Sequence, residues 1–485
     1  MHPSPHRVAG QTRPERDPAP AVGWWRAPSL LVVVLVLALS ALPLSAQHFP
    51  SDGEIQSMLD ARVEAGGAVG IALGLLEPDG SVRTFSSGSA GAGRPTLGPT
   101  TLFEIGSISK VFTGTLLADM ARRGEVDIED PVQTYLPDGV TMPVRAGREI
   151  RLVDLATHRS ALPRLPGNMA PADPSNPYAD YTTEMMYAFL SGYELPRDIG
   201  AEAEYSNLGV GLLGHVLALR LGMTWEEAVR ERILDPLGMD GTGVRLTPEM
   251  EARMAAGHDP AAEPVPLWDV GVLAGAGALR SDVEDMLRFL EANVGAPSTE
   301  LERAMRDAHQ PREPMGGSAE IGLNWITRTT DGRRIVWHNG GTAGFRTFAG
   351  FDPDSEAAVV VLTNSGIGAD DLGFHLLDPE IPLAPPQLPG YAGREAVEVD
   401  PAILERYVGD YQLRPGLVAT FEVVDGQCRT QLTGQPSLPL YAASETVFFL
   451  RAVEAEIEFD VDESGTVTGM TLRQGGQTIP APKIR

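Results

Sequence analysis

The pattern with the clearest chemical meaning in this sequence is a serine followed three residues later by a lysine. Ser107 and Lys110 stand at the start of a segment whose apolar residues have helical spacing. Residues three apart share one face of a helix, so both side chains would point into one site. A serine hydroxyl is a weak nucleophile that needs a neighbouring base, and a desolvated lysine amine can be that base. The pattern predicts that Ser107 is a nucleophile and Lys110 its base.

The lysine is also rare in this chain. Of the 38 basic residues, only Lys110 and Lys483 are lysines, and the others are arginines. Arginine keeps its proton at working pH, whereas a buried lysine can lose it. The alternative is a surface lysine beside a helix-capping serine, but the use of one of two lysines at this position favours a catalytic base.

Tyr205-Ser206-Asn207, which precedes a predicted helix, carries polar groups suited to the same reaction. A tyrosine near two cationic groups would have a lowered pKa and could act as a proton shuttle. The Asn207 amide both donates and accepts, which suits holding Lys110 and a substrate amide together. Taken alone, such residues are more often structural, so their weight comes from the Ser/Lys pair.

A third polar segment, His338-Asn339-Gly340-Gly341, follows the predicted strand Arg334–Trp337. Glycines in a strand permit close approach of a ligand to the backbone. The main-chain N–H of one of these glycines, together with that of Ser107, would then form a two-donor oxyanion hole. His338 alone would be an ordinary residue at a strand end.

Together these segments resemble the active-site motifs of class C β-lactamases. Phe103–Lys110 is similar to the family's nucleophile octapeptide, Tyr205–Asn207 to its Tyr-x-Asn motif and His338–Gly340 to its third motif in a His-x-Gly form. Accessory stretches such as Thr157-His158 and Ala276-Gly277 agree. The same superfamily includes D-alanyl-D-alanine carboxypeptidases, D-aminopeptidases and penicillin-binding esterases.

The resemblance implies a mechanism through an acyl-enzyme. Ser107 would be acylated, Lys110 and Tyr205 would move the proton, and Asn207 would orient the amide of a β-lactam or D-amino-acid peptide. His338, Gly340 and Gly341 would line the substrate-binding strand. No metal or organic cofactor is implied.

One departure from the family pattern concerns the third motif. Class C β-lactamases usually have Lys-Thr-Gly or Lys-Ser-Gly there, and a neutral His338 would hold a substrate carboxylate less well than a lysine. Arg346 is predicted to restore the charge. Two alternatives follow: a D-alanyl-D-alanine-type peptidase or carboxylesterase with little lactam turnover, and a penicillin-binding or sensing protein that is acylated without turnover.

The elements that must position these residues follow an α+β pattern. The predicted helices are Ser109–Arg123, Asn207–Leu221, Trp225–Ile233 and Val283–Ala292. The predicted strands are Val69–Leu76, Val82–Ser87, Leu323–Thr329, Arg334–Trp337, Thr347–Phe351 and Ala357–Thr363. If the first and last strands pair, one antiparallel sheet carries a helical insertion, as the β-lactamase/transpeptidase-like resemblance implies.

The chain divides into four predicted parts. Residues 1–46 have the basic, apolar and small-residue regions of a signal peptide, and their apolar run is shorter than the ~20 residues of a spanning helix. We therefore expect export to the periplasm or medium, with no membrane span after cleavage; an uncleaved anchor is the alternative. Residues 48–377 form the hydrolase domain, 378–398 a Pro-rich linker and 399–485 an all-β, lipocalin-like domain, a small barrel or sandwich.

The role of this C-terminal domain stays open between binding a ligand or cell wall, capping the cleft and mediating oligomerisation.

Composition excludes other functions. The formal charge of −27 repels phosphate backbones, so nucleic-acid binding is not expected. One cysteine, Cys428, excludes an intrachain disulfide, and the nine histidines lack metal-ligand spacing.

Overall fold

The computed structural model describes residues 48–384, 394–414, 417–424, 426–433, 437–451, 455–462, 464–474 and 477–485. The predicted signal peptide and residues 385–393 of the predicted linker lie outside these described residues. The domain boundaries predicted there remain predictions.

Helices and strands are mixed along the described chain. The helices are α1 (Asp52–Glu64), α2 (Ser109–Arg122), α3 (Leu152–Ala156), α4 (Thr183–Gly192), α5 (Asn207–Leu221), α6 (Trp225–Val229), α7 (Asp235–Leu237), α8 (Pro248–Arg253), α9 (Val283–Glu291), α10 (Glu300–His309), α11 (Asp370–Leu377) and α12 (Pro401–Tyr407). The strands are β1 (Gly70–Leu76), β2 (Val82–Gly88), β3 (Phe103–Glu104), β4 (Gly257–His258), β5 (Pro264–Val265), β6 (Arg280–Ser281), β7 (Glu313–Gly316), β8 (Ala319–Ile321), β9 (Ile326–Thr330), β10 (Arg333–Gly341), β11 (Arg346–Phe351), β12 (Ala358–Thr363), β13 (Gly409–Arg414), β14 (Leu417–Val424), β15 (Gln427–Leu432), β16 (Ser437–Ala442), β17 (Val447–Leu450), β18 (Ala455–Val461), β19 (Val467–Gln474) and β20 (Gln477–Pro482).

Eight strands form one antiparallel sheet in the order β2-β1-β12-β11-β10-β9-β8-β7. The two ends of the domain meet in this sheet, where Ile71 of β1 pairs with Thr363 of β12. Every position of β1 and β12 is buried. Strands that are covered on both faces read as continuous apolar runs rather than as alternating ones. The predicted antiparallel sheet with a helical insertion is therefore confirmed.

Alternate side chains of β12 enter two separate cores. Val359 and Val361 pack in the core that includes residues of α1 and α11, whereas Val360 and Leu362 pack in the larger core that includes α2 and α9. Helix α2 lies so deep in this larger core that all its residues from Ser109 to Met120 are buried. The helix that follows the predicted nucleophile is thus a rigid, dry support.

One helix and one strand differ clearly from their predicted bounds. The predicted helix Trp225–Ile233 is α6 followed by a π-helical turn over Arg230–Leu234. The strand predicted from Leu323 begins only at Ile326, because Asn324 adopts a left-handed φ of 67° that breaks the extended run.

No single helix within the described ranges has both the length and the apolar composition of a membrane span. The helices Asn207–Leu221 and Trp225–Leu237 are long and apolar enough only when they are counted as one, and they are bent by 77° relative to each other. The first of them is the buried helix α5 of the larger core.

The C-terminal strands β13 to β20 form a second antiparallel sheet in chain order. The sheet nearly closes into a barrel, since the Asp410 N–H donates to the Arg485 carbonyl at 2.9 Å and the Ile484 N–H to the Asp410 carbonyl at 2.8 Å. The interior is filled by aromatic rings, among them Tyr407 and Phe459, which stack with centroids 4.0 Å apart. The predicted small β-domain is confirmed as a nearly closed, packed barrel, but helix α12 (Pro401–Tyr407) precedes β13 and was not part of the all-β prediction.

Three of these strands lack the sequence pattern that usually marks a strand. β16 contains Pro439, and β20 contains Pro480 and Pro482. Proline removes a ladder hydrogen bond, so such runs read as loops. β13 is largely polar in sequence and only Tyr411 among its residues is buried, which leaves it without the apolar alternation that marks a strand.

We expect a chain ending at Ala384 to fold and to keep a reactive Ser107. The apolar core of the barrel consists of residues from beyond the linker, and the two cores of the first domain consist of residues from before it. Circular dichroism should show one cooperative thermal transition for the shortened chain. An insoluble product, or one with secondary structure but no cooperative transition, would contradict two independent cores.

Candidate active site

The structure places the predicted nucleophile and base together. Ser107 lies in a single 3₁₀ turn, Gly106–Ile108, that leads directly into α2, where Lys110 is the second residue. The Lys110 Nζ donates to the Ser107 Oγ at 3.0 Å and to the main-chain carbonyl of Ala276 at 2.6 Å. The lysine has 0% exposure. The two side chains share one helix face, as their spacing predicted.

The environment of Lys110 favours its neutral form. Burial lowers the pKa of its amine well below 10.5, and the positive charge of Arg164 lowers this pKa further. Both influences act in the same direction, because each disfavours a second positive charge away from water. A neutral Nζ carries a lone pair 3.0 Å from the Ser107 oxygen and can accept its proton.

Strand β10 continues beyond its predicted end. His338 was expected to follow the strand at Trp337, but the ladder with β11 runs on to the pair Gly341 and Arg346. Pairing with β9, in contrast, stops at Trp337. The stretch from His338 to Gly341 therefore has a strand on one side only, and its other side faces the turn that carries Ser107.

The free side of β10 presents the Gly341 N–H. The Thr342 N–H donates to the Phe345 carbonyl, across the turn towards β11. Successive N–H groups of a strand point to opposite sides, so the Gly341 N–H points away from β11. Its nitrogen lies 2.7 Å from the place that a Cβ on Gly106 would occupy. The Gly341 N–H therefore lies beside the turn that carries Ser107, and its part in an oxyanion hole stays a prediction.

Gly340 permits this close approach. A Cβ at this position would lie 1.9 Å from the carbonyl oxygen of Ile105 and 2.3 Å from the Thr347 Oγ1. The Thr347 hydroxyl itself donates to that carbonyl at 3.0 Å. Gly106 is likewise restricted, since its φ is +51°. Contact between β10 and the nucleophile turn thus depends on glycine on both sides.

Tyr205 lies at the centre of a ring of basic side chains. Its ring centroid is 4.4 Å from that of His158, 4.9 Å from the Lys110 Nζ, 5.1 Å from the Arg164 guanidinium carbon and 6.2 Å from the His338 ring. The expectation of a lowered pKa is nevertheless wrong. Burial raises the pKa of Tyr205 above 10 and outweighs the opposing effects of a Ser107 hydrogen bond and the Arg164 charge.

The two histidines beside Tyr205 are uncharged, which explains this result. Burial lowers the pKa of His338 to about 3 and that of His158 well below 6.5, and Lys110, whenever it is protonated, lowers both further. The His338 Nδ1 lies 2.6 Å from the Asn339 carbonyl and must donate to it, so its Nε2 is an acceptor. The His158 Nδ1 accepts the Ser206 N–H, so its Nε2 is a donor. Tyr205 is therefore a neutral phenol, with two uncharged histidines and the Arg164 guanidinium around its half-buried ring.

Asn207 reaches the site through a different bond from the one predicted. Its Nδ2 donates to the Tyr178 hydroxyl at 3.1 Å, whereas the Lys110 Nζ bonds to Ser107 and Ala276. The predicted contact between Asn207 and Lys110 is not formed among the described residues. The Asn207 Oδ1 is buried and has no hydrogen-bond partner among the described residues. It remains an acceptor for a substrate N–H.

Arg346 does not present its guanidinium freely to the site. Its Nη1 donates to the carbonyls of Thr342 at 2.5 Å and Phe345 at 2.8 Å, which closes the turn after β10. Burial lowers the pKa of this guanidinium, and the carboxylate of Asp370 partly opposes that effect. The Nη1 atom of Arg346 thus stabilises the turn, and the carboxylate-binding role of this residue stays a prediction.

Four site residues escaped the motif-based prediction of the site: His158, Arg164, Tyr178 and the carbonyl of Ala276. His158 and Ala276 lie in Thr157-His158 and Ala276-Gly277, two accessory stretches that resemble the family, so the resemblance could have identified them as site residues. Arg164 and Tyr178 lie in irregular segments where no spacing rule applies.

Comparison with known proteins agrees with this geometry. The β-lactamase family model matches residues 55–377, and a domain of unknown function, DUF3471, matches residues 393–482. The D-alanyl-D-alanine-carboxypeptidase/endopeptidase AmpH of Escherichia coli K12 is 30% identical over 67% of this chain and 87% of its own length. Penicillin-binding protein 4* of Bacillus subtilis is 28% identical over 78% of this chain and 86% of its own.

Solved structures show the same similarity. A class C β-lactamase from Rhodobacter sphaeroides has a TM-score of 0.54 with 28% identity and covers 62% of this chain and 91% of its own. A β-lactamase/D-alanine carboxypeptidase from Yersinia pestis has a TM-score of 0.58 with 24% identity, over 68% of this chain and 98% of its own. The latter likeness concerns the fold.

The close approach of β10 predicts that Gly340→Ala separates β10 from the nucleophile turn. The added methyl group overlaps the Ile105 carbonyl, and such overpacking costs at least about 1 kcal/mol. We expect a lower melting temperature and loss of Ser107 labelling by a fluorophosphonate. Gly368→Ala is the matched control, because no atom lies within 4 Å of its added methyl group. Normal labelling of the Gly340 variant would show that the approach is not required.

The base assignment predicts that Lys110→Arg lowers the labelling rate of Ser107 by about 10³-fold, because an arginine keeps its proton. In the wild type, the rate should rise with pH through the lowered pKa of Lys110 and fall below it, as the amine becomes charged. Lys483→Arg, a change at the only other lysine, is the matched control. Comparable rates for both variants would refute the base role.

Proposed function

The chain belongs to the β-lactamase family of serine hydrolases, and from this premise we propose that it hydrolyses β-lactams and related D-amino-acid amides through an acyl-enzyme on Ser107. The observation that carries this proposal is the 3.0 Å contact between the Ser107 Oγ and a fully buried lysine amine. Related proteins of both kinds, β-lactamases and a D-alanyl-D-alanine carboxypeptidase, support the substrate class.

In the first step the Ser107 Oγ attacks the amide carbonyl as its proton passes to the neutral Lys110 Nζ. A bond forms between Oγ and the carbonyl carbon, and the carbonyl oxygen becomes an oxyanion. The main-chain N–H groups of Ser107 and Gly341 stabilise that charge. Collapse of the intermediate breaks the C–N bond, and the nitrogen leaves with a proton that Lys110 supplies by way of Tyr205.

In the second step water attacks the ester on Ser107. Tyr205 is a neutral phenol with a raised pKa, so it donates and accepts protons in relay with Lys110 and does not act as a standing phenolate. The water proton passes to this pair, and the Ser107 oxygen leaves and takes a proton back. The products are the free acid and the original enzyme.

A second candidate is a D-alanyl-D-alanine-type peptidase or a carboxylesterase with little lactam turnover. The observation that favours it is the neutral His338, which replaces the lysine of the usual third motif and cannot supply its charge. The similarity to AmpH agrees with this candidate. A protein that keeps its acyl group, as a penicillin-binding or sensing protein would, is the third possibility.

We also propose that the enzyme works outside the cytoplasm, in the periplasm or the medium. Support comes from the signal-peptide pattern of residues 1–46. The proposed substrates, β-lactams and D-amino-acid peptides, are consistent with this location.

Intact-mass spectrometry of the protein purified after expression with its leader tests these proposals together. With nitrocefin, we expect a transient adduct and rapid release of the ring-opened product; with a D-alanyl-D-alanine peptide, cleavage. Ser107→Ala should abolish both the adduct and turnover. A stable lactam adduct would favour the penicillin-binding candidates, and labelling that survives in the Ser107 variant would refute the nucleophile. A mature mass that still includes residues 1–46 would contradict signal cleavage.

A further inference from the structure

Arg164 stands at the site without a partner of its own. Its main-chain carbonyl accepts the N–H groups of Asn207 at 3.0 Å and Leu208 at 3.3 Å, which fixes the residue at the start of α5. Its side chain is exposed, and the guanidinium carbon lies 5.1 Å from the centre of the Tyr205 ring. The arginine is thus held on the same wall as Asn207.

This guanidinium is unpaired in a strongly acidic chain. Within the described residues, no carboxylate forms an ion pair with Arg164 and no hydrogen bond occupies its donors. Arginines nearby behave differently: Arg197 pairs with Glu202 and Glu204, and Arg159 with Glu313. In a chain with a formal charge of −27, this exposed arginine beside Tyr205 has no acidic partner among the described residues.

The charge of Arg164 reaches the groups that do the chemistry. It contributes to the lowered pKa of Lys110 and of His158, and it opposes the raised pKa of Tyr205 and of Tyr178. Charge effects of this kind fall off with distance, so the guanidinium must lie close to these four side chains. It therefore also lies close to the space beside them in which a substrate binds.

The other candidate cations at the site are not free. His338 is neutral, since its pKa is lowered to about 3, and Arg346 donates to the carbonyls of Thr342 and Phe345. Lys110 is buried and bonded to Ser107 and Ala276. Arg164 is the remaining cation around Tyr205 in the described structure.

Resting on the proposed function, we propose that Arg164 is the subsite for a carboxylate of the substrate. Its planar fork matches a carboxylate with two parallel hydrogen bonds. Stacking on Tyr205 holds the guanidinium in place before the substrate arrives, which reduces the entropy lost on binding. The carboxylate belongs either to the acyl portion of the substrate or to its leaving group.

Three dipeptides distinguish these two sources. N-acetyl-D-alanyl-D-alaninamide carries no charge, its N-succinyl analogue has a carboxylate on the acyl side, and N-acetyl-D-alanyl-D-alanine has one on the leaving group. Their binding is measured by protection of Ser107 against fluorophosphonate labelling, and their turnover by kcat/KM. We expect the wild type to prefer one of the two charged compounds to the neutral one.

Arg164→Gln should weaken binding of that charged compound by about ten- to a hundredfold, the worth of a hydrogen bond between charged groups, and should change the neutral compound less than about twofold. Arg164→Lys should recover part of the loss. Arg122→Gln is the matched control. It removes one arginine that lies roughly 18 Å from Lys110 along α2, and it should change the binding of none of the three compounds.

Equal losses for charged and neutral compounds in Arg164→Gln, with a shifted pH profile of labelling, would show that the arginine only tunes Lys110 and would overturn the subsite. A wild type that labels normally but does not prefer either charged compound would also overturn it, while leaving the proposed function intact. Absence of Ser107 labelling in the wild type would contradict the proposed function itself.

Discussion

The site depends on keeping one amine, that of Lys110, out of water and away from negative charge. A buried ammonium ion costs several kcal/mol, so this position favours the neutral amine, which is the form that can take a proton from Ser107. The two hydrogen bonds of Nζ, to Ser107 and to the Ala276 carbonyl, keep the buried amine satisfied. The larger core supplies the burial, because α2 is enclosed along most of its length. Protein stability and nucleophile activation therefore rest on the same packing.

The second constraint is the distance between strand β10 and the turn that carries Ser107. The sheet and the helix meet here through backbone atoms, with Gly340 against the Ile105 carbonyl and Gly106 against the Gly341 nitrogen. Neither contact has room for a side chain. β10 loses its β9 partner at Trp337, and this leaves the Gly341 N–H on an open edge. An unpaired strand edge, usually a liability, becomes the place where a substrate carbonyl can be bound.

Charge is distributed around Tyr205 in an unequal way. His158 and His338 are neutral through burial, Lys110 is driven towards neutrality, and Arg164 keeps an exposed positive charge on the wall of Asn207. The site thus combines a buried base, Lys110, with half-buried Ser107 and Tyr205 and with an exposed cation, Arg164. The barrel lies outside this arrangement, since its interior is filled with its own aromatic side chains.

The sequence alone determined the pairing of Ser107 with Lys110 and the sheet, because these depend on local spacing and on continuous apolar runs. Ser107 and Lys110 share a helix face at any tertiary arrangement, and the buried strands β1 and β12 are visible as apolar segments. The tertiary structure decided the rest. The pKa of Tyr205 is set by burial, which no spacing reveals. The Arg346 side chain donates to main-chain carbonyls of the turn after β10, and Arg164 lies in an irregular segment beside Tyr205. Which cation remains free depends on contacts between distant parts of the chain, and these exist only once it has folded.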